Sequence, residues 1–286
     1  MAEDIQNKEN FEDDSNELFS IIRVPWKKST DDVWSGFKKQ MIPRKKVIHL
    51  MPVARKWQFA AAAVLIISLG IGVFMHSYTI GSKTLAGNHI TTELPDGSII
   101  YLNAESEIHY KPYWWWFKRS IDLKGEAFFE VKKGKEFSVE SVNGTTRVLG
   151  TTFSIFSRGG QYEVICATGK VMVKAKGTEH SIILLPSQKA KLQENGLLEI
   201  EKNVNTENTK SWLTNMLIFT SASFTRVIKE IEKQYNVEII LPEDLSLEYT
   251  GSFEKLESVE EVLHMVCRPF NLKVEKKSDN QFIILR

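Results

Sequence analysis

The sequence predicts a multi-domain membrane protein: a short helical segment, one transmembrane helix, an all-β domain and an α+β domain built on a βαβ repeat. Three observations carry this expectation. Between Lys56 and Lys83 there is no Asp, Glu, Lys or Arg. From about residue 88 to 203, short alternating stretches are broken by turn residues. From residue 216 to 286, helical and strand periods alternate twice. Bulk composition conceals all three. With 286 residues, 42% hydrophobic, 26% charged and a net charge of +1, the chain averages to an ordinary soluble protein. The averages still exclude some classes. Lys and Arg number 37 against 36 Asp and Glu, so this is no strongly basic nucleic-acid binder. Two Cys are too few for a disulfide scaffold or a four-thiolate metal site.

Residues 1–56 are too few to hold a comfortable core of their own. Two amphipathic helices are readable in them. Phe11, Leu18, Phe19 and Ile22 recur at helical spacing among acidic residues, and Val24-Pro25-Trp26 breaks the chain after them. The second helix starts at Ser29-Thr30-Asp31-Asp32, a capping-box-like entry with acids in the first turn. It carries Val33, Trp34, Phe37 and Met41 on one side. Apolar faces with no core to cover point to helices that finish folding on a partner; the bland alternative is a hairpin in which the two faces cover each other. The basic run from Lys38 to Lys46 also suits an anionic lipid surface.

Residues 57–78 form the expected transmembrane helix. Trp57 to Tyr78 is 22 residues, roughly 33 Å at about 1.5 Å per residue, enough to cross a bilayer core. The two aromatics sit where interfacial rings are expected. A cleaved signal peptide starts within the first few residues, and this segment does not. Lys38, Lys39, Arg44, Lys45, Lys46, Arg55 and Lys56 precede the span, whereas Lys83 stands alone between it and Glu93. The positive-inside bias therefore puts the N-terminus in the cytoplasm and about two hundred C-terminal residues outside, in the periplasm if the membrane is a bacterial inner membrane.

The β-rich region has turn signals at Asp96-Gly97, Gly125, Asn143-Gly144, Gly159-Gly160, Gly169, Gly177, Pro186 and Asn195-Gly196. Many short strands describe a sandwich, barrel or solenoid, and periodicity does not choose among them. Its motifs are more specific. Leu94-Pro95-Asp96-Gly97-Ser98 is followed by Leu102-Asn103-Ala104 and Ser106, then Arg119, Leu123 and Gly125-Glu126-Ala127-Phe128-Phe129-Glu130-Val131. Phe137, Val139, Val148-Leu149-Gly150-Thr151, Phe153, Gly169-Lys170-Val171, Leu185-Pro186 and Gln188 come next. In order and spacing this resembles the FecR domain over about 100 residues, with Ser154 where the family often has Asn. Glu126 and Glu130 lack the His or metal-ligand spacing of an acid–base pair, so a structural or solvated role is expected for them.

Residues 216–286 contain an internal duplication. A strand ending at Phe219 leads into a helix over 221–235, with Phe224, Val227, Ile228, Ile231 and Tyr235 on one face, and then a strand at Val237–Ile240. The second copy has a strand at Tyr249–Phe253, a capping box at Ser258 and Glu261, and a helix face of Val259, Val262, Leu263 and Val266. Pro269 stops that helix before a strand at Leu272–Glu275, and a hairpin at Ser278-Asp279-Asn280 leads into Phe282–Leu285. Tyr235-Asn236-Val237 aligns with Phe270-Asn271-Leu272. The arrangement resembles the secretin/TonB short N-terminal (STN) domain. Phe253 and Leu256 are weak contact candidates, with core packing the favoured alternative.

The most conspicuous anomaly is Trp114-Trp115-Trp116, beside Tyr113 and Phe117. As a strand it would expose at least one ring, and Trp114, Trp115 and Trp116 are candidate exposed contacts for a sugar, a protein or a lipid surface; the favoured alternative is that two of the rings cap the β core. Six scattered His form no metal spacing, neither a phosphate-binding Gly loop nor a nucleophile elbow is present, and no cofactor is implied. Cys166 and Cys267 fall in different predicted domains and are expected to be buried thiols.

The FecR resemblance implies a single-span anti-sigma factor rather than an enzyme. It implies an extracytoplasmic-function (ECF) sigma factor on the cytoplasmic side, with Phe19, Ile22, Trp34 and Phe37 as expected contacts. On the periplasmic side it implies the N-terminal signalling domain of a TonB-dependent outer-membrane transducer. It also implies regulated cleavage by site proteases within the span, and no direct contact with nucleic acid. Some FecR-like proteins cut themselves at a Gly-Thr bond, the matching bond here being Gly150-Thr151, where a plain turn before a strand is the favoured alternative. The alternative from another class is a membrane-anchored periplasmic glycan-binding or scaffold protein using the Trp run.

Overall fold

The computed structural model describes residues 27–41, 53–242, 245–255 and 258–286. The chain divides into two units between Val64 and Leu65. In the first, helix α1 (Thr30–Met41) begins where Ser29 accepts from the Asp31 N–H at 3.2 Å. Asp31 and Asp32 in its first turn and Lys38 and Lys39 in its last both complement the helix dipole. Helix α2 (Val53–Ser77) crosses the unit boundary. Its stretch Trp57–Ser77 is 21 residues, long and apolar enough to cross a membrane, and protein covers none of its apolar window. The helix ends one residue short of the expected Tyr78, whose N–H still bonds the Phe74 carbonyl.

The second unit opens with a β-sandwich. Strands β1 (Ile80–Lys83), β2 (Ile90–Glu93), β3 (Ile99–Leu102) and β4 (Glu107–Tyr110) precede a long β5 (Arg119–Glu130). There follow β6 (Phe137–Ser141), β7 (Gly144–Val148), β8 (Thr152–Arg158) and β9 (Gln161–Cys166). Strands β10 (Val171–Ala175), β11 (Ser181–Leu184), β12 (Gln188–Leu192) and β13 (Leu198–Lys202) complete it. Strand β1, ahead of residue 88, pairs antiparallel with β4 and so joins the same sheet.

Two sheets share β5. Its first half pairs with β4 and β6, giving the order β1-β4-β5-β6-β7-β10-β11; its second half pairs with β3 and β8, giving β2-β3-β5-β8-β9-β12-β13. The switch falls at Gly125, at φ +106°, where a Cβ would lie 2.8 Å from the Ser106 Cα. No larger residue fits there without moving the backbone. One core fills the space between the sheets, with Ile121 and Phe137 from one and Phe153 and Val164 from the other. Phe129 stacks on Phe153 at 4.8 Å inside that core, whereas its neighbour Phe128 belongs to the C-terminal core. Two consecutive buried aromatics mean that both faces of β5 are covered.

That second core is built by β14 (Met216–Ser223), α3 (Phe224–Tyr235), β15 (Glu238–Ile240), β16 (Glu248–Glu254), α4 (Val259–Cys267), β17 (Lys273–Ser278) and β18 (Gln281–Leu285). Strand β14 pairs antiparallel with β16, while β18 lies between parallel β15 and antiparallel β17. The duplication is visible in the backbone. Ser223 and Ser258 cap the two helices, and Asn236 and Asn271 both turn left-handed after them, at φ 56° and 55°. Helix α3 starts at Phe224, not Ser221, because Ser221–Ser223 continue β14.

Candidate functional site

On α1, Val33, Trp34 and Phe37 gather on one side, with Trp34 65% and Phe37 52% exposed. The two rings meet edge-to-face at 6.5 Å. The i, i+3 spacing that marks them in the sequence is the spacing that brings them together. Phe19 and Ile22 lie outside the described residues, as does Leu256. Phe253 is buried in the C-terminal core, which removes it as a surface contact.

The sandwich carries its own polar clasp. Asp96 and Arg119 form a largely buried ion pair. Arg119 donates to the carbonyls of Lys135 at 2.7 Å and Lys132 at 3.1 Å, and its guanidinium lies 5.3 Å from the Phe137 ring centroid. Ser98 donates to the Asp96 carboxylate at 2.8 Å and accepts from the Lys132 N–H at 3.0 Å. The Asp-Gly turn therefore ties the start of β5 to the loop after it.

The C-terminal domain docks on the outer face of the sheet that contains β3, β8 and β9. Arg226, near the start of α3, donates twice to Glu163 on β9, at 2.6 and 3.1 Å, and its guanidinium lies 4.4 Å from the Phe156 ring centroid. Burial alone would push the Glu163 carboxyl up, but the charge and hydrogen bonds of Arg226 outweigh it, so the pKa falls. Beside this pair, Asn103 donates to Glu126 at 2.8 Å and accepts from Gln234 at 2.8 Å. Gln234 also donates to Glu230 at 2.9 Å and meets His89 at 3.2 Å. Asn103, Glu126, Glu163, Arg226 and Glu230 form part of the wall of a cleft of about 420 Å³ between sheet and domain, which Trp212 also lines.

Glu126 is half-buried in that wall. Burial, reinforced by the Glu230 charge, pushes its pKa up to about 7. A carboxyl raised in the folded state binds a proton there that the unfolded chain releases near its ordinary 4.5. Its stabilising contribution is fully present below that value and is lost as pH rises through about 7. In thermal melts between pH 4.5 and 8, Glu126→Gln is expected to remove a dependence on the order of 2 kcal/mol. Parallel curves for the two proteins would refute this. The role expected for Glu126 is thus narrowed to a place in the domain junction.

The Trp run is a turn, not a strand, and its three indoles part company. Trp115 is 1% exposed, packed on Tyr110 and Phe137, which corrects the expectation that it is an exposed contact. Trp114 is half-buried, and Trp116 is 73% exposed. At Gly150-Thr151, Gly150 has φ +142° and a Cβ there would lie 2.5 Å from the Lys133 Cα. The Thr151 hydroxyl is buried and has no hydrogen-bond partner, so no base is bonded to it. A close-packed entry turn into β8 accounts for this geometry. Cys166 and Cys267 are free and buried, their thiols pushed up to about 11 by burial. Among the described residues no cluster of His, Cys, Asp and Glu could hold a metal.

Sequence reasoning did not single out Arg226, Glu163, Asn103 or Gln234 as a group. The available signal was Phe128-Phe129, since adjacent aromatics in a strand require a cover on each face.

The family model described as FecR protein matches residues 82–172, and the one described as FecR, C-terminal matches residues 216–284. A search of curated proteins finds no match. Among solved structures, two crystal structures from Parabacteroides distasonis ATCC 8503, each described as a candidate anti-sigma factor, are similar to this chain. One has a TM-score of 0.68 at 24% identity, covering 73% of this chain and 99% of the other. The second has a TM-score of 0.67 at 25% identity, covering 72% and 99%. The two family models fall in order on the sandwich and on the domain docked against it, and together they take in more than half of the residues. The chain belongs to the FecR family.

Proposed function

We infer that this protein is a single-span anti-sigma factor of a bacterial inner membrane, with residues 1–56 in the cytoplasm and the FecR domains in the periplasm. The observation that carries the reading is the uncovered face of Val33, Trp34 and Phe37, joined through an apolar span to two domains of the FecR family. The basic flank of the span supports the orientation. The partner of that face is an ECF sigma factor, held by Trp34 and Phe37 together with Phe19 and Ile22. Helices that cover the sigma surfaces needed by RNA polymerase compete with transcription until they are released or degraded. The STN-like C-terminal domain and the sandwich receive the signal from the N-terminal domain of a TonB-dependent transducer, and proteases then cut the span.

The test is co-purification of the full-length chain from its own membranes, with sigma factors identified in the eluate. An ECF sigma factor is expected, and Trp34→Ala combined with Phe37→Ala is expected to cut its recovery at least about tenfold, since each buried aromatic at such an interface contributes on the order of 1–2 kcal/mol. Equal recovery with and without the two rings would overturn the assignment of this face.

A further inference from the structure

The turn between β4 and β5 meets the end of the apolar helix. Tyr113 lies 6.1 Å from Phe74 and 5.2 Å from Tyr78, ring to ring, and Trp114 meets His76 edge-on at 4.9 Å. Phe117 packs on Trp114 at 4.7 Å. The outer side of the turn is left open: Trp116 and Phe117 are 73% and 70% exposed, while Trp115 fixes the turn from inside the sandwich core. The 21 residues of Trp57–Ser77 make about 31 Å of helix, close to the thickness of the hydrocarbon layer. Tyr78 then stands at headgroup level, and every ring in contact with it or with His76 stands at that level too.

We propose that the turn Tyr113–Phe117 is a second membrane anchor, seated in the headgroup layer of the leaflet from which α2 emerges. The proposal rests on α2 spanning the membrane. Indole and phenol rings are favoured at this depth because the ring is apolar and its N–H or O–H stays wet. Lys111, Lys118 and Lys135 are at the turn: the first two bracket the rings in sequence, and Lys135 donates to the Trp116 carbonyl at 3.4 Å. Their ammonium groups complement anionic phosphate headgroups. From Lys111 to Arg119 there is no Asp, Glu, Asn or Gln, so the turn itself lacks the carboxylates and amides that fix the hydroxyls of a sugar. Two attachment points, one through the bilayer and one on it, hold the sandwich in a set orientation.

The test uses the full-length chain in vesicles of phosphatidylcholine and phosphatidylglycerol. A fluorophore is attached at one introduced thiol, Phe117→Cys, Trp116→Cys, Glu179→Cys or Leu69→Cys. Cys166 and Cys267 are fully buried and do not compete for the label. Phospholipids brominated on the upper acyl chain then quench by contact. Quenching at 117 and 116 is expected to exceed that at 179, on the β10–β11 hairpin, by roughly threefold or more. Strong quenching at 69 with 117 and 116 no different from 179 would overturn the anchor while leaving the span intact. Absence of quenching at 69 as well would overturn the span, and the anchor with it.

Discussion

Asp96→Ala is expected to destabilise the sandwich by about 3–5 kcal/mol, the usual loss when one member of a buried ion pair is removed. The side chains of Arg119 and Asp96 are only 9% and 15% exposed, so the guanidinium left behind has little access to water. Its remaining partners, the carbonyls of Lys132 and Lys135 and the Ser98 hydroxyl, are dipoles and do not neutralise it. The substitution also removes the acceptor for the Ser98 N–H and hydroxyl, loosening the turn. Asp96→Asn separates part of these contributions, because its single amide oxygen keeps the bond from the Ser98 N–H while the charge and the acceptor for the Ser98 hydroxyl are given up. Replacing Arg119 by Met together with Asp96→Ala is expected to recover part of the loss, since a neutral pair leaves no charge stranded. Denaturant titration of the three variants measures this, and a loss below about 1 kcal/mol for Asp96→Ala would refute it. Against a total stability of about 5–15 kcal/mol for a domain, the expected change is enough to lower cellular abundance.

The features legible in the sequence were those decided locally. The Asp96-Gly97 turn, the Ser258 cap and the apolar span each depend on a few adjacent residues. Sharing β5 between two sheets was not legible, because in–out alternation runs unbroken through Gly125 while the strand changes partners. The Trp run misled for a related reason. Alternation was applied to a segment that is a turn, where tertiary packing alone decides that Trp115 points inward. The domain junction was hidden by the same logic in reverse. Glu163 and Glu126 occupy outward positions, which pattern analysis assigns to solvent, and only a second domain laid on that face makes them interior. The uncovered face on α1 could be read because amphipathicity needs no tertiary information.

Arg226→Ala is expected to loosen the C-terminal domain from the sandwich, at a cost of about 2–4 kcal/mol. It removes two charge-assisted hydrogen bonds and the cation beside Phe156, and it leaves Glu163 with a side chain only 11% exposed. Lys189 and Lys191 act on the same carboxylate, which keeps the cost below that of a wholly unpaired charge. Arg226→Lys should fall between, because an ammonium retains the charge but not the two-pronged geometry or the flat contact with the ring. The change reaches further than one ion pair. Arg226 also favours ionised Glu126, so its loss is expected to raise the Glu126 pKa and move the pH-dependent step upward. Melts of the full-length chain should then show the C-terminal domain unfolding ahead of an unshifted sandwich, with greater protease access to the segment around Asn203–Asn208. A single transition at the wild-type temperature would mean that apolar packing of Phe128 and Trp212 holds the domains without the ion pair. If the junction does open as expected, a ligand that engages the C-terminal domain has a mechanical route to the sandwich, whose β4–β5 turn meets the end of the apolar helix.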